Sequence, residues 1–328
     1  MKIKDVILKG IRKCYCKFNH IVFLPENYEL NRQVANDWIY ELLSSDKPCM
    51  ISRYGSGEIN VVTNYLAIHS RDSFVSKCKN YITKQAGLPW WDELFFKSMR
   101  NNMGVFPESI EILEKFSERY LEDSKYIDLL GSMSYVEKYM PTPSNMKKVH
   151  IESLYPFFVE RPWTRALKGK KVLVIHPFIF SIQKQNKIKE KMFSNPDVWP
   201  DYKLITYRAV QSNAGAEVPY SDWFEALKKM EDDIDRIDYD IAILGCGAYG
   251  LPLAAHIKRA GKKAVHLGGG SQLIFGIKGR RWEEEYRYPY LPDSYDTDYR
   301  KLFNVFWCRP NEQETPKKAN NVEGGCYW

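Results

Sequence analysis

The stretch Asp240-Ile-Ala-Ile-Leu-Gly-Cys-Gly-Ala-Tyr-Gly250 decides the fold that this sequence predicts. Its four consecutive apolar residues, Ile241 to Leu244, are typical of a strand that is buried on both faces inside a parallel sheet. Three glycines then follow the strand: Gly245, Gly247 and Gly250. The run that continues to Gly261 predicts a helix with a glycine C-cap. This buried strand and the helix that follows it therefore predict an α/β fold.

The turn between this strand and helix is also a candidate ligand site. Glycine lets the backbone approach a ligand closely, and the free N–H groups at the start of a helix favour an anion such as phosphate. An ordinary strand-to-helix connection is the alternative. A second strand over 262–267 completes a strand-helix-strand unit, and this continuation favours the ligand site. We therefore predict that Gly245, Gly247, Tyr249 and Gly250 contact a ligand.

Length and composition are those of a soluble globular protein. The chain has 328 residues and a formal net charge of +7. That charge suits anionic ligands or membrane surfaces, but without a concentrated patch it disfavours nucleic acid as a partner. The seven cysteines lack paired Cys-x-x-Cys spacing, which predicts neither a zinc site nor a disulfide framework. The absence of a secretory signal and of any run of about 18 apolar residues predicts a cytoplasmic protein.

Residues 1–17 have the composition of a helix that lies on a membrane. They carry six basic side chains against one acid, with Ile3, Ile7 and Ile11 one helical turn apart. A basic amphipathic helix of this kind binds an anionic surface, which predicts peripheral contact with the inner face of the membrane. An ordinary surface helix is the alternative.

A second strand-turn-helix pattern lies nearer the start of the chain. Cys49-Met-Ile-Ser-Arg-Tyr-Gly55 predicts a strand that ends in glycine, and Ser56-Gly57-Glu58 predicts the start of a helix. Arg53 offers a planar fork of donors that suits a phosphate or a carboxylate. Glu58 either favours the positive end of the helix dipole or provides an oxygen ligand for Mg²⁺ or Mn²⁺ on a diphosphate. The spacing alone favours the capping role.

The segment Ser52-Arg-Tyr-Gly-Ser-Gly-Glu58 resembles the Arg-aromatic-Gly-Asp-Gly-Glu signature of the GT-D type glycosyltransferases, a bacterial family that transfers a sugar from a UDP-sugar. The region 245–279 also resembles the C-terminal part of proteins with that fold. The resemblance implies a Rossmann-like, doubly wound and mostly parallel sheet flanked by helices. It also implies a glycosyltransferase of polysaccharide or glycoprotein biosynthesis, with a UDP-sugar donor, a glycan or lipid-linked acceptor and a divalent cation, Mn²⁺ or Mg²⁺.

The same resemblance assigns residues to the nucleotide side of the site. It implies that Arg53, Gly55, Ser56 and Gly57 contact the donor. Glu58 matches the glutamate of the signature, which implies a metal ligand or a catalytic group. Ser56 stands where the family has aspartate. Because a hydroxyl is a weaker and neutral ligand, a cation would rely on Glu58, diphosphate oxygens and water, or basic residues would replace it.

The second half of the chain contributes a strand end and two acids. A buried strand is predicted over 171–175, and His176 follows it at the edge where open α/β sheets bind ligands. His176 is therefore a candidate diphosphate or acceptor contact, with a structural histidine as the alternative. A lysine-rich helix is predicted over 180–193. Glu217 and Asp222 are candidates for the base that accepts the acceptor's proton. Their alternatives are a solvated loop acid and a helix N-cap.

The alternation of short apolar strands and helices, without repeats, predicts one domain over residues 1–328. The loop 140–145 is a natural boundary between two sub-halves, 1–145 and 146–328. The first of them also contains a predicted strand over 126–130.

The sequence leaves two other functions open. Leu-Gly-Cys-Gly-x-x-Gly also resembles the first motif of S-adenosylmethionine-dependent methyltransferases, although His266-Leu-Gly-Gly has no acid where that family places one for the ribose hydroxyls. The loss of the family's aspartate at Ser56 equally fits a non-catalytic nucleotide-sugar or glycan-binding protein.

Overall fold

A seven-stranded sheet organises the chain in this computed structural model, which describes residues 3–21, 24–284, 288 and 290–328. The strands in chain order are β1 Cys49–Arg53, β2 Leu129–Ser132, β3 Lys147–His150, β4 Lys171–His176, β5 Lys203–Arg208, β6 Ile241–Leu244 and β7 Lys263–His266. Their order in the sheet is β3-β2-β1-β7-β6-β4-β5. Every pairing between these strands is parallel.

Helices cover both faces of this sheet. Those in the described part of the chain are α1 Ile3–Phe18, α2 Arg32–Ser44, α3 Ser56–His69, α4 Phe74–Ile82, α5 Glu93–Ser98, α6 Ile110–Ser124, α7 Ile179–Asn186, α8 Trp223–Ile234, α9 Gly250–Arg259 and α10 Ser271–Ile274. Helices α3, α6, α8 and α9 contribute to an apolar cluster on one face, and α2, α7 and α10 contribute to a cluster on the other. The predicted Rossmann-like, doubly wound α/β fold is thereby confirmed. No helix among the described residues is long and apolar enough to cross a membrane.

The apolar run of β6 is buried on both faces, as its composition predicts. Ala242 and Leu244 belong to the cluster on the α9 side, whereas Ile241 and Ile243 belong to the other cluster. Each of these side chains is at most 1% exposed. β6 therefore has no solvent-facing side, and its carboxyl end leads directly into the glycine turn.

Connections leave the sheet on opposite faces at neighbouring strands. The chain after β6 passes through α9 on one face, while the chain after β4 passes through α7 on the other. Strands β4 and β6 are hydrogen-bonded neighbours. Where adjacent connections diverge in this way, a crevice opens at the carboxyl ends of the strands, and ligands of open α/β sheets bind there.

The sheet is continuous across the two predicted sub-halves. Ile51 of β1 pairs with Leu129 of β2 on one side and with Val265 of β7 on the other. The loop 140–145 joins β2 and β3, which are neighbours in the same sheet. This loop therefore connects two strands of one layer.

Two predicted elements differ in extent from those observed. β2 begins at Leu129, because Tyr126 and Ile127 belong to the turn that closes α6, where their N–H groups donate to the carbonyl oxygens of Asp123 and Ser124. The helix predicted over 180–193 ends at Asn186, because the chain then turns and buries Met192 in the core.

Replacing Leu253 by alanine is expected to lower the free energy of unfolding by about 2–5 kcal/mol, because removal of this buried α9 side chain leaves a cavity in the core. Urea denaturation measures the loss. Leu94→Ala is the matched control, since it is the same change in another helix at a side chain that is 55% exposed. We expect it to cost less than about 1 kcal/mol. Equal losses of unfolding free energy in the two variants would contradict the buried position of Leu253 in α9.

Candidate functional site

A cavity of about 640 Å³ opens at the carboxyl ends of the strands. Arg53, His176 and His266, which end β1, β4 and β7, line it. Most of the site residues predicted from the sequence also line this cavity: Arg53, Gly55, Ser56, Gly57, Glu58, His176, Gly245, Gly247 and Tyr249. The fold thus brings the glycine turn after β6 and the turn after β1 to one cavity, although they are about 190 residues apart.

Arg53 carries a positive charge that no carboxylate neutralises directly. Its Nε and Nη2 atoms donate to the carbonyl oxygen of Tyr54 at 2.9 and 2.7 Å. Nη2 also lies 3.3 Å from the sulfur of Met133. Among the residues that the structure describes, Arg53 forms no ion pair. Its guanidinium is therefore available to an anionic ligand in the cavity.

Glu58 is buried in the first turn of α3, near this arginine. Its carboxyl group lies directly over Gly55, where a Cβ would come within 1.8 Å of Oε2. A side chain at position 55 would therefore require the Glu58 carboxyl group to move, which gives Gly55 a role in placing Glu58. Burial raises the pKa of Glu58, and the nearby charge of Arg53 opposes the shift. A carboxylate with a raised pKa is suited to take up a proton.

Ser56 lies exposed at the start of α3 and lines the cavity with a neutral hydroxyl. Among the described residues, no group of three or more His, Cys, Asp or Glu side chains is placed to hold a metal ion. Glu58 is the single carboxylate of this turn. Mg²⁺ and Mn²⁺ are bound by carboxylates together with substrate phosphates and water. These residues do not fit a cation that the protein holds by itself.

Three strands end in a buried histidine: β3 in His150, β4 in His176 and β7 in His266. Burial lowers the pKa of His150 to about 4 and the pKa values of His176 and His266 to about 3. All three imidazole rings are therefore neutral at neutral pH. A neutral ring has one donor and one acceptor nitrogen, so its hydrogen bonds determine what it offers to a ligand.

His176 has its donor nitrogen at the cavity wall. Its Nδ1 accepts the backbone N–H of Phe178 at 2.9 Å, so the proton of the neutral ring is on Nε2. The ring packs over Gly245, where a Cβ would lie 2.9 Å from Nε2. His176 is therefore held in the tautomer that can donate a hydrogen bond to a ligand oxygen.

His266 connects the glycine turn to β1. Its Nδ1 lies 3.0 Å from the hydroxyl oxygen of Ser52. Its ring packs against Gly250, where a Cβ would come within 2.3 Å of Nε2. Gly250 is not among the residues that line the cavity. Glycine at this position therefore accommodates a histidine ring, while Gly247, with φ of 58°, provides the left-handed backbone of the turn.

Glu152 is a second buried acid at the cavity, in the 3₁₀ turn Ile151–Leu154. Tyr288 donates a hydrogen bond to its Oε1 at 3.0 Å, and Tyr299 donates one to its Oε2. Burial raises the pKa of Glu152, and the hydrogen bond from Tyr299 opposes the shift. Both of its oxygens are already engaged, whereas the Glu58 carboxyl accepts no hydrogen bond from another described residue.

Sequence reasoning missed Glu152 and the contribution of Tyr327. Glu152 follows β3, a four-residue strand that begins with two lysines, so no apolar run marks the strand end. Tyr327 also lines the cavity, and Arg281 donates a hydrogen bond to its hydroxyl at 3.3 Å while forming an ion pair with Glu323. Glu152 reaches the cavity because β3 pairs with β2 at the edge of the sheet. No pattern in the sequence reveals that pairing, so Glu152 could not be identified from sequence.

The two acids predicted as the base lie elsewhere. Glu217 is exposed on the loop 209–222. Asp222 caps α8 by accepting the backbone N–H of Glu225 at 2.8 Å. Neither acid lines the cavity. Glu217 is therefore a solvated loop acid and Asp222 a helix N-cap, as the alternative interpretations of the two residues predict.

Tyr249 lies largely behind the cavity wall. Its ring stacks on Trp223 in the core, with the ring centroids 4.9 Å apart. Its hydroxyl lies 3.0 Å from Oγ of Ser212, which donates to the carbonyl oxygen of Gly104 at 2.6 Å. The Tyr249 side chain thus anchors the glycine turn to the core.

Comparisons with known proteins add little to this picture. No family model matches the chain, and no curated protein matches it. A solved structure that is similar to it is the selenomethionine-substituted structure of domain of unknown function 1792 (DUF1792), at 14% identity over 90% of this chain and 98% of that chain. The TM-score of 0.33 is too low for this similarity to support a conclusion. The fold assignment therefore rests on the strand order, and the site rests on its geometry.

His176→Asn is expected to weaken the dependence of stability on pH. The folded-state pKa of about 3 lies below the ordinary value of 6.5. Stability from the neutral ring is therefore fully present above the ordinary value and is lost as the pH falls toward the folded one. One such histidine contributes a slope of about 1.4 kcal/mol per pH unit in this window. Asparagine removes the titration but keeps an acceptor for the Phe178 N–H.

Urea unfolding at several pH values between the two pKa values measures this slope. The control is His20→Asn, because His20 is exposed, does not line the cavity and forms no ion pair within the described structure. We expect the control to have the wild-type slope and His176→Asn to have a smaller one. An identical slope in His176→Asn would show that His176 is not held neutral by burial.

Proposed function

We propose that this protein is a glycosyltransferase that transfers a sugar from a UDP-sugar to a hydroxyl of a glycan or lipid-linked acceptor. The observation that carries the proposal is Arg53, a guanidinium without an ion pair in the described structure, in a cavity at the carboxyl ends of a doubly wound sheet. The resemblance of residues 52–58 to the GT-D signature supports the same class of donor. Arg53 and Glu58 belong to that segment and lie at the same cavity.

The donor's diphosphate is the part that Arg53 would bind. A planar guanidinium can give two parallel hydrogen bonds to phosphate oxygens, and its charge stabilises the negative charge that develops on the leaving diphosphate. The Nε2–H of His176 is a neutral donor at the same cavity. Helix α9, which begins at Gly250, adds the positive end of its dipole behind the glycine turn.

The acceptor's proton would go to Glu58. In a single displacement the acceptor oxygen forms a bond to the anomeric carbon, the bond from that carbon to the diphosphate oxygen breaks, and a carboxylate takes the hydroxyl proton. Burial raises the pKa of Glu58, which makes it a better proton acceptor than an exposed glutamate. Glu152, by contrast, already accepts hydrogen bonds from Tyr288 and Tyr299.

The resemblance to the GT-D family implies a divalent cation that neutralises the diphosphate. In this protein Arg53 would supply that positive charge. Ser56 offers no charge, and Glu58 is a single carboxylate, so the residues of this turn do not form a cation site by themselves. We therefore propose that UDP binds without added metal. A Mn²⁺ or Mg²⁺ ion that enters with the diphosphate would have Glu58 as its one carboxylate ligand in this turn.

UDP is expected to raise the thermal unfolding midpoint of the wild type, and Arg53→Met is expected to remove that effect. At about a hundred times the dissociation constant, a ligand stabilises by about 2.7 kcal/mol. Arg208→Met is the matched control, because Arg208 also ends a strand of the sheet but does not line the cavity. Differential scanning fluorimetry with and without EDTA makes the measurement.

The stabilisation by UDP should persist in EDTA. Its loss in EDTA and its recovery with Mn²⁺ would contradict the role given to Arg53 and would make Glu58 a metal ligand. Stabilisation by S-adenosylmethionine without any response to UDP or UDP-sugars would overturn the glycosyltransferase proposal in favour of a methyltransferase.

Glu58→Gln is expected to lower the rate of UDP release from a UDP-sugar by about 10²-fold or more while UDP binding is retained, because the amide keeps the shape but cannot accept the proton. Coupled detection of UDP measures the rate. Glu217→Gln is the control and should match the wild type, since Glu217 lies outside the cavity. Wild-type protein that binds UDP-sugars but never releases UDP would instead be a non-catalytic binding protein.

A further inference from the structure

Helix α1 exposes an apolar stripe on the surface of the protein. Its inner side packs through Leu8 with Tyr81 and Leu88. On the outer side, Ile7 and Ile11 are 56% and 47% exposed, and Phe18 is 81% exposed. Positions 7, 11, 14 and 18 lie on one side of a helix. A contiguous exposed apolar stripe of this kind marks an interaction surface.

Helix α4 extends the apolar surface beside α1. Phe74 and Val75, at its start, are 63% and 77% exposed. Phe74 stacks on Trp90 with centroids 6.1 Å apart, and the ammonium of Lys4 in α1 lies 4.3 Å from the centre of the same indole. The starts of the two helices therefore meet around Trp90. We call the exposed residues Lys4, Val6, Ile7, Ile11, Phe18, Phe74 and Val75 the α1–α4 surface.

A cleft on the other flank of α1 is strongly basic. Its volume is about 510 Å³, and the basic side chains that line it are Lys9, Arg12, Lys13, Lys17 and Lys84. No acid is among the described residues that line it. Lys9 forms an ion pair with Asp92 at 2.5 Å, whereas Lys13 and Lys17 are exposed and form no ion pair within the described structure.

The positive charges around this cleft are crowded. Burial, together with the charge of Arg12, lowers the pKa of Lys84 to about 8. The guanidinium of Arg12 lies 4.3 Å from the ring centre of Tyr81 and donates to the hydroxyl of Tyr135 at 2.8 Å. An anion that enters the cleft would relieve this repulsion between like charges.

We propose that the α1–α4 surface docks on an anionic membrane, with lipid phosphates in the basic cleft and the apolar stripe at the boundary of the acyl chains. The apolar stripe and the lysines Lys13 and Lys17 lie on either side of the outward face of α1, the arrangement of a helix that lies in a membrane interface. The charge of the cleft selects anionic over neutral lipid. Residues 1–2 and the Ile3 side chain, part of the predicted membrane segment 1–17, lie outside the described structure.

This inference is independent of the proposed transfer reaction, since the basic cleft and the cavity at the strand ends share no residue. If both hold, the membrane surface would bring the cavity to a lipid-linked acceptor in preference to a soluble glycan. A variant that loses UDP binding should still bind vesicles, and a variant that loses vesicle binding should still bind UDP. Either proposal can therefore be wrong without the other.

Co-sedimentation of the full chain with vesicles tests the docking. We expect binding to vesicles that contain phosphatidylglycerol, weaker binding at high ionic strength, and little binding to phosphatidylcholine alone. Ile11→Glu/Phe18→Glu and Lys13→Glu/Lys17→Glu should each weaken binding by about tenfold or more, because they remove the apolar and the electrostatic contribution. All of these side chains are exposed, so folding is not at risk.

The matched controls carry the same changes elsewhere on the surface. Val305→Glu/Phe306→Glu replaces two exposed apolar residues, and Lys168→Glu/Lys170→Glu replaces two exposed lysines. Both should bind as the wild type does. Absence of binding to phosphatidylglycerol vesicles, or equal binding by all variants, would overturn the proposal. Self-association that Ile11→Glu/Phe18→Glu abolishes, seen by light scattering without vesicles, would instead show that a second copy covers the surface.

Discussion

Burial of the parallel sheet on both faces is the constraint on which the rest of this structure depends. Because helices cover both faces, a strand such as β6 carries only apolar side chains, and its neighbours β4 and β7 carry polar side chains only at their ends. Arg53, His150, His176 and His266 each occupy the last position of a strand. The chemistry of the protein is therefore concentrated along one edge of the sheet, where neighbouring connections diverge.

The same burial determines which of these groups carry charge. It lowers the pKa values of the three strand-end histidines and raises those of Glu58 and Glu152. Burial therefore favours neutral imidazole rings and makes the Glu58 carboxylate a stronger base, whereas Arg53 brings a positive charge to the same cavity. An anion that enters meets Arg53, which forms no ion pair among the described residues, Arg281, which is paired with Glu323, and neutral hydrogen-bond donors such as His176. Such a site suits a group whose negative charge grows during the reaction, because its donors are already oriented.

The sequence predicts this fold best where an apolar run ends in glycine, as at β1 and β6. It does not predict β3, whose two leading lysines conceal a strand that is completed only by its pairing with β2. The same distinction between local patterns and long-range pairing applies to the residues of the candidate site. Arg53 and Glu58 lie within a local motif and reach the cavity as predicted, whereas Glu152 and His266 come to it through pairings between distant strands. Glu217 has the chemistry of a base but is exposed, beyond the part of the loop 209–222 that lines the cavity, and no local pattern encodes that position.

The contact between Gly250 and His266 means that neither position can change size independently of the other. The histidine ring occupies the space that a side chain at position 250 would need, and its other nitrogen reaches Ser52 in β1. A larger residue at position 250 is therefore compatible only with a smaller one at position 266, and a change at 266 leaves the Ser52 hydroxyl to find another partner. The three positions therefore form one packing unit, although they lie in different elements of the chain. Among relatives of this protein they should be exchanged together or kept together.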